Sequence, residues 1–351
     1  MERRCPREEI VSKFSKKLFQ CWHPVAYSHE VPSDAPYGSI LLDEALVIWR
    51  TGDGVPHAMQ DLCIHRGSAL SKGRLKDDCV VCPYHAWHYN AEGACVKIPQ
   101  KVNATEIPLK ARVRSYRTLD RYGLIWVALE EPIFSLPELP ELENAEWKVV
   151  LTGPFEWNSD SSRQVENFTD FGHFPWVHPG LLGDPERPIV GKYDVEVRGH
   201  VLHYSVTRPE VPNTQEFPVF ANENVVEPER QSRYELHLPY TIVLRLGWGE
   251  GKNMVYFFVS QPIQEKRCRG YCIVGRNYNF DQPDSTLQDF EKVVFGQDQQ
   301  VVESQRPEQV PFDLADELHL PFDAVAINYR RTMQKQGLAY YHYLHETEEE
   351  A

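Results

Sequence analysis

The sequence predicts an α+β protein in two parts, an N-terminal all-β domain followed by a domain built on an antiparallel sheet with a late helix. Three observations carry that expectation. Short β-branched and aromatic runs bounded by turn residues fill residues 22–129, pairs of alternating runs begin near residue 193, and a helical period follows at 286–305. The 351 residues suit about two domains. Apolar residues at 42% and charged residues at 25% supply a core and exclude a disordered chain. The 26 prolines and 12% aromatics favour a strand- and loop-rich enzyme over a helical bundle. A net charge of −14 has the wrong sign for a nucleic-acid or anionic-membrane partner. No run of about 18 apolar residues exists to span a bilayer. Residues 1–20 are basic without an apolar stretch, so no secretory signal is expected and the expected location is cytoplasmic.

The elements follow in order. Residues 1–18 are a polar, basic lead with short helical character. Residues 40–42, 45–49, 80–82 and 123–129 read as strands, separated by turn signals such as Asp53-Gly54, Lys72-Gly73 and Asn90-Ala91-Glu92-Gly93. Residues 130–147 hold three prolines and at least five acids, the composition of a linker or strap. The expected domains are therefore 19–135 and 136–351. Beyond the strap, Tyr193, Val195 and Val197 alternate, Arg198-Gly199 turns the chain, and Leu202, Tyr204 and Val206 alternate on the return. Further strands at 234–246, 254–260 and 271–278 extend this hairpin into a sheet. At 286–305, Leu287, Phe290, Val294, Val301 and Val302 mark a helix that Pro307 stops. Residues 346–351 are an acidic tail.

Four of the eight cysteines, Cys63, Cys79, Cys82 and Cys95, fall within 33 residues, beside His65 and His85. That clustering points to a metal, and eight cysteines are too few for a disulfide scaffold of this length. Cys63-Ile64-His65 and Cys82-Pro83-Tyr84-His85 form two pairs, each with one thiolate and one imidazole. A Rieske [2Fe–2S] centre needs that mix, because two cysteines hold one iron and two histidines hold the other. The competing arrangement is a zinc site of Cys63, Cys79, Cys82 and His85, which leaves His65 without a task. Cys79 then reads as a packed strand residue, and Cys5, Cys21, Cys95, Cys268 and Cys272 as ordinary buried cysteines.

The segment DLCIHRGSALSKGRLKDDCVVCPYHAWHYNAEGACVKIP resembles the Rieske domain of the Rieske non-haem iron oxygenase α subunits. Two departures stand out, Ile64 where the family often has Pro and Ala86 where it usually has Gly. Trp87 is expected to shield the cluster from water.

A Rieske centre passes single electrons, so a second site is expected. Residues 166–180, ENFTDFGHFPWVHPG, carry His173 and His178. Five-residue spacing puts them about 140° apart on an ideal helix, so a helix bent at Gly172 and Pro175 is needed to aim both at one metal. A carboxylate would complete the facial triad of non-haem Fe(II) oxygenases. The helix at 286–305 offers Asp289, Glu291, Asp298 and Glu303, and composition does not choose among them. FGQDQQVVESQRPE resembles the α-subunit segment whose aspartate after the aromatic is the third ligand, which implies Asp298. The resemblance also implies that Asp170 joins His173 to His85 of a second copy of the chain and carries the electron between sites. Asn167, one turn before Asp170, is expected on the pocket wall or beside a ligand. The remaining histidines lack ligand spacing, and Arg330-Arg331 is expected to make salt bridges.

The resemblance spans Trp22 to about Leu338. It implies a helix-grip (START-like) catalytic domain, an α3 homotrimer, a Rieske cluster and a mononuclear Fe(II). The chain lacks a G-x-G-x-x-G dinucleotide fingerprint, so electrons would come from a separate NAD(P)H-dependent reductase or a ferredoxin. The two motifs look most like the monooxygenating α subunits, including methylxanthine and vanillate-type demethylases. The implied reaction is hydroxylation or oxidative N- or O-demethylation of a small aromatic or heterocyclic substrate. The alternatives are cis-dihydroxylation of an aromatic ring, or electron transfer without oxygenation. The pocket is expected between His173/His178 and the strands at 234–246 and 254–260.

Overall fold

The computed structural model describes residues 13–101, 107–209, 211, 214, 216–220, 229–248 and 251–340. Most of the basic lead, the acidic tail, Cys5, His342 and His345 lie outside the described residues. The lead's last part enters a 3-10 turn at Lys16–Gln20, whose first free amide is met by the Ser15 hydroxyl.

The N-terminal strands are β1 (His23–Tyr27), β2 (Tyr37–Leu41), β3 (Glu44–Arg50), β4 (Pro56–Gln60), β5 (Arg74–Lys76), β6 (Cys79–Val81), β7 (His88–Tyr89), β8 (Cys95–Lys97), β9 (Ser115–Arg121) and β10 (Leu124–Ala128). They form a six-stranded antiparallel sheet in the order β1-β10-β9-β4-β3-β2 and a four-stranded sheet β5-β6-β7-β8. Leu124, Ile125, Trp126, Val127 and Ala128 are all buried, because β10 is covered on both faces. The second sheet is a run of short hairpins; its β6–β7 connection carries Cys82 and His85, while Cys63 and His65 lie in the connection from β4 to β5.

The strap at 130–147 is packed against the body. The Tyr122 hydroxyl donates to Pro137 O (2.9 Å) and accepts from Leu139 N (3.0 Å), while Leu136 and Leu139 are buried. One helical turn, α1 (Pro140–Glu143), starts at the proline as its fixed φ favours.

The C-terminal part is a seven-stranded antiparallel sheet flanked by few helices. Its elements are β11 (Lys148–Trp157), α2 (Ser161–Thr169), α3 (Phe174–Val177), β12 (Val195–Arg198), β13 (Val201–Pro209), β14 (Glu229–His237), β15 (Thr241–Gly247), β16 (Asn253–Gln264), β17 (Arg267–Arg276), α4 (Asp284–Val302) and α5 (Ala324–Lys335). Strand order is β11-β17-β16-β15-β14-β13-β12. The hairpin at Arg198-Gly199 forms as its alternation predicts, with Arg198 paired to Val201. The single strand expected at 234–246 is two strands, because Leu238-Pro239-Tyr240 turns the chain and pairs His237 with Thr241. Proline has no amide hydrogen for the ladder, so the run breaks there. The late helix starts at Asp284, two residues before the expected start, and closes at Val302 with Glu303 as its cap.

The two halves share their apolar cores. One cluster runs from Leu18, Leu46 and Ile125 through Phe258 and Phe290 to Tyr340, and a second joins Tyr27 and Trp126 to Phe257 and Tyr271. Backbone hydrogen bonds tie them too: Leu42 N donates to Pro262 O (2.8 Å) and Asp43 N to Ile263 O (3.0 Å). A third cluster, around Trp49, Cys63, Cys82 and Tyr89, belongs to the N-terminal half alone.

Candidate active site

Helix α2 begins where the Asp160 carboxylate accepts from Ser162 N (2.8 Å), the pairing an N-cap provides. It stops at Thr169, whose hydroxyl turns back to Val165 O and Glu166 O, both at 3.1 Å. Asp170 is extended (ψ 129°), and its Oδ1 accepts from Gly172 N at 2.8 Å, which closes a local turn. The segment is thus broken, where a bent helix was expected. His173 leads the single turn α3 and His178 follows it, Pro175 supplying a helix start. Gly183 lies flat beneath this turn; a Cβ there would sit 2.4 Å from Pro175 N. The break removes the 140° problem, since a one-turn helix flanked by free backbone can direct both imidazoles to one point.

That point is the Asp298 carboxylate on α4. Donor atoms of His173, His178 and Asp298 all lie within 4.8 Å of one another, close enough for one metal ion. His178 Nε2 is 2.9 Å from Asp298 Oδ1, and His173 Nε2 is 3.4 Å from the same oxygen. His173 Nε2 is buried with no hydrogen-bond partner. A buried imidazole nitrogen facing a carboxylate without a bond is the donor set that a divalent cation would satisfy, so these residues fit a metal.

The outer nitrogens are both engaged. His173 Nδ1 donates to Asp170 Oδ2 (3.0 Å), and His178 Nδ1 lies 2.8 Å from Gln297 Oε1. These partners fix ring orientation and leave each Nε2 facing the centre. Asn167 Nδ2 donates to Asp298 Oδ1 at 3.2 Å. Burial alone would raise the Asp298 carboxyl, yet the two imidazoles beside it, His173 at 3.4 Å and His178 in hydrogen bond, outweigh it and hold it at about 2. Burial would likewise lower His173, and its bond to Asp170 and the Asp298 carboxylate beside it instead raise it to about 9.

Of the four carboxylates the sequence left open, only Asp298 meets the histidines. Asp289 is exposed, Glu303 accepts from Asn158 N and from Gln299 Nε2, and Glu291 is buried two turns away. Gln297 was not singled out from the sequence. It neighbours Asp298 and follows no periodic pattern, so no sequence signal could have marked it.

Beside the triad lies a cavity lined by Phe168, Phe174, Leu182, Phe220, Tyr234, Leu244, Leu246, Tyr256, Phe290 and Phe295 among others. It occupies the expected place between the histidine segment and strands β14, β15 and β16. Phe168 stacks on Phe258 (4.6 Å, 8°), and Phe155 stacks on Phe295 (4.1 Å, 3°), so one wall is a slab of flat rings. Arg330 takes the ionic role expected of it. It donates from Nε and Nη2 to the two oxygens of Glu166, both at 2.7 Å, and from Nη2 to Glu317 at 2.6 Å.

The N-terminal motifs build a second centre. Cys63 and Cys82 are buried, while His65 and His85 are partly exposed with ring centroids 4.5 Å apart. The two loops fold alike. Gly67 N donates to Cys63 O (2.8 Å) and Ala86 N to Cys82 O (3.0 Å), so each loop closes on its own cysteine. Gly67 (φ 71°) and Ala86 (φ 54°) both take the left-handed conformation. His65 Nδ1 is buried without a partner, and Cys63 Sγ has the Tyr89 hydroxyl at 3.1 Å. Two buried thiols with an orphaned imidazole nitrogen beside them fit the ligand set of a Rieske cluster. Trp87 lies flat on His65 (4.5 Å, 6°), covering one face of the ring. Cys79 sits apart in β6, paired with Lys76.

Comparison with known proteins agrees with this two-centre layout. Residues 21–117 match the Rieske [2Fe–2S] domain, and residues 157–339 match the vanillate O-demethylase oxygenase C-terminal domain. Methylxanthine N1-demethylase NdmA of Pseudomonas putida is 32% identical over 340 residues, covering 93% of this chain and 92% of the relative. The P. putida methylxanthine N3-demethylase NdmB is 30% identical, with 91% and 89% covered. A solved structure of P. putida NdmA with caffeine superimposes with a TM-score of 0.80 at 30% identity, over 91% of each chain. Dicamba monooxygenase shares the fold, with a TM-score of 0.75 at 20% identity. The chain belongs to the Rieske oxygenase α subunits, enzymes that use O2 with a Rieske [2Fe–2S] cluster and a mononuclear iron. It is the terminal oxygenase component of such a system, acting as a monooxygenase.

Proposed function

We propose that this oxygenase demethylates a small, flat heterocycle or methoxylated ring, oxidising the methyl carbon so that it leaves as formaldehyde. One observation carries the reading: a two-histidine, one-carboxylate triad opening into an aromatic-walled cavity. The naming of NdmA and NdmB as methylxanthine demethylases supports it.

In this reading Cys63, His65, Cys82 and His85 hold the [2Fe–2S] cluster, and His173, His178 and Asp298 hold the iron. Bound there, ferrous iron supplies the activation of O2. Asp170 and Gln297 hold the two imidazoles, and Asn167 steadies the Asp298 carboxylate. The stacked Phe168 and Phe295 orient the substrate ring, and the apolar wall excludes bulk water. Electrons come from an NAD(P)H-dependent reductase or a ferredoxin.

A homotrimer in which the cluster of one copy serves the triad of the next explains where Asp170 lies. A second cavity reaches Asp170 and His173 from outside, and neither cavity is lined by any residue before Arg163. The chain's own cluster loops are therefore not at its triad. The cluster tip presents Ile64 (48% exposed) and Tyr84 (66%), and Trp176 (64%) stands exposed on the triad's turn. Such apolar surface is what an interface between copies would cover. The exchange of electrons through Asp170, and a cytoplasmic site of action, belong to the same proposal.

The test is turnover with a surrogate reductase and NADH on caffeine, theobromine, vanillate and dicamba. Loss of 14 mass units with stoichiometric formaldehyde is expected for at least one. Gain of 16 mass units with the methyl retained would make the enzyme a hydroxylase, and no product from any methylated compound would sink the reading. Iron should total about three per chain, two for the cluster and one for the triad.

A further inference from the structure

The cavity is apolar almost throughout, yet besides Asp298 one more carboxyl group lines it, two turns earlier on α4. Glu291 is 3% exposed, lines the cavity, and its Oε1 is buried with no hydrogen-bond partner. The Tyr256 hydroxyl, on strand β16, lies beside the same carboxyl and lines the cavity with it. A buried polar oxygen left unpaired costs about 1–3 kcal/mol, so an oxygen in that state in a binding cavity awaits a ligand group.

Spacing turns the residue into a ruler. Seven residues separate Glu291 from Asp298 on one helix. That is two turns, about 10 Å along the axis and nearly the same face. Val294 and Phe295 line the cavity between them. A ring system lying along α4 would thus have one edge at the triad and the far edge at Glu291.

Burial raises the Glu291 carboxyl to about 8, with the Asp298 charge adding to the effect. The group is therefore a neutral acid near pH 7, a hydrogen-bond donor as well as an acceptor. The charged side chain nearest in kind, Arg208, is seated over the Phe174 ring at 4.5 Å, on the cavity's other wall.

We propose that Glu291 and Tyr256 are the specificity end of the pocket, selecting a flat, uncharged ring with a hydrogen-bond acceptor on the edge opposite the carbon to be oxidised. A carbonyl oxygen or an unprotonated ring nitrogen answers that description. The inference rests on the cavity being the substrate site and narrows the substrate class there.

The test reads binding, without turnover, on the iron- and cluster-loaded protein under argon. Three bicyclic probes of one size are used: 1-methyl-4-quinolone, whose carbonyl lies across the ring from its methyl, 1-methylnaphthalene and the permanently cationic 1-methylquinolinium. Dissociation constants are measured for wild type, Glu291→Leu, Glu291→Gln and Tyr256→Phe. The quinolone-to-naphthalene preference should fall about tenfold in Glu291→Leu, the size of one buried hydrogen bond. Glu291→Gln keeps a donor and should retain the preference within about threefold. An unchanged ratio in Glu291→Leu overturns the proposal, and so does tighter binding of the quinolinium than of the quinolone to wild type. Each variant's cluster spectrum, which a local pocket change leaves intact, checks its folding. Failure of every turnover assay would remove the demethylase reading yet leave these ratios measurable, so the two failures are distinguishable.

Discussion

Single side chains decide how each centre is held. Gln297 keeps His178 oriented through Nδ1 and does not line the cavity. Gln297→Leu should weaken iron retention about 10–100-fold, read by chelator competition, while the cluster spectrum stays unchanged. Gln297→Glu, which still accepts from Nδ1, should restore most of it. Ala86 presents the opposite situation. It occupies the left-handed position that Gly67 fills in the twin loop, at a cost of about 1–2 kcal/mol for any residue with a Cβ. Ala86→Gly should therefore raise the melting temperature of cluster loss by about 2–4 °C. A lower value would show that the methyl packs favourably enough to offset the backbone strain. Ala86 was visible in the sequence as a departure from the family, but only the backbone angle says why glycine is preferred there.

At the level of elements, the site depends on how α2 is anchored. Arg330 on α5 holds Glu166 on α2 in a bidentate pair, and also binds Glu317 and Pro311 O. Its guanidinium is 2% exposed, so removing it strands two partly buried carboxylates. Arg330→Ala should cost about 3–5 kcal/mol, measured by thermal or denaturant unfolding. A loss under about 1 kcal/mol would mean that water replaces the pair. Elements with their own periodicity were legible in advance: the Val195/Tyr204 hairpin, the helix around Phe290 and Val294, and the hairpin tip that carries Cys82 and His85. The break after Thr169 was not. Thr169, Asp170 and Gly172 are individually compatible with a helix, and only the side-chain-to-backbone bonds of Thr169 and Asp170 end it. The split at Leu238-Pro239 was likewise hidden, because apolar residues continue on both sides of the turn. The shared core was also hidden, since nothing in the run of β1 or β16 says that they will meet.

Across the whole molecule, burial of titratable groups sets an acid limit. His23 lies in the common core with Nε2 2.8 Å from Leu18 O, and burial lowers it to about 4. The unfolded chain, with histidine near 6.5, binds that proton more readily, so stability falls as pH drops from about 6.5 toward 4 and is unaffected by His23 above that window. The loss should reach about 3 kcal/mol at pH 4 relative to pH 7. His23→Gln should flatten this part of the stability profile; an unchanged slope would assign acid sensitivity to other groups. Assembly is testable at the same scale. Three copies would sediment at about 120 kDa, and a mixture of Asp170→Asn and His85→Ala chains should recover part of the wild-type turnover only if sites work between copies. No recovery would place the electron path within one chain.

Trp176 gives that assembly an optical handle. Its indole is exposed on the turn between His173 and His178. In an isolated chain its emission should be red-shifted by water. Covering by a neighbour's cluster tip should shift it blue and bring an iron–sulfur quencher within range. Dilution would then be seen as a rise in long-wavelength fluorescence, and its midpoint would report the association constant from one native tryptophan, with Trp176→Phe as the blank.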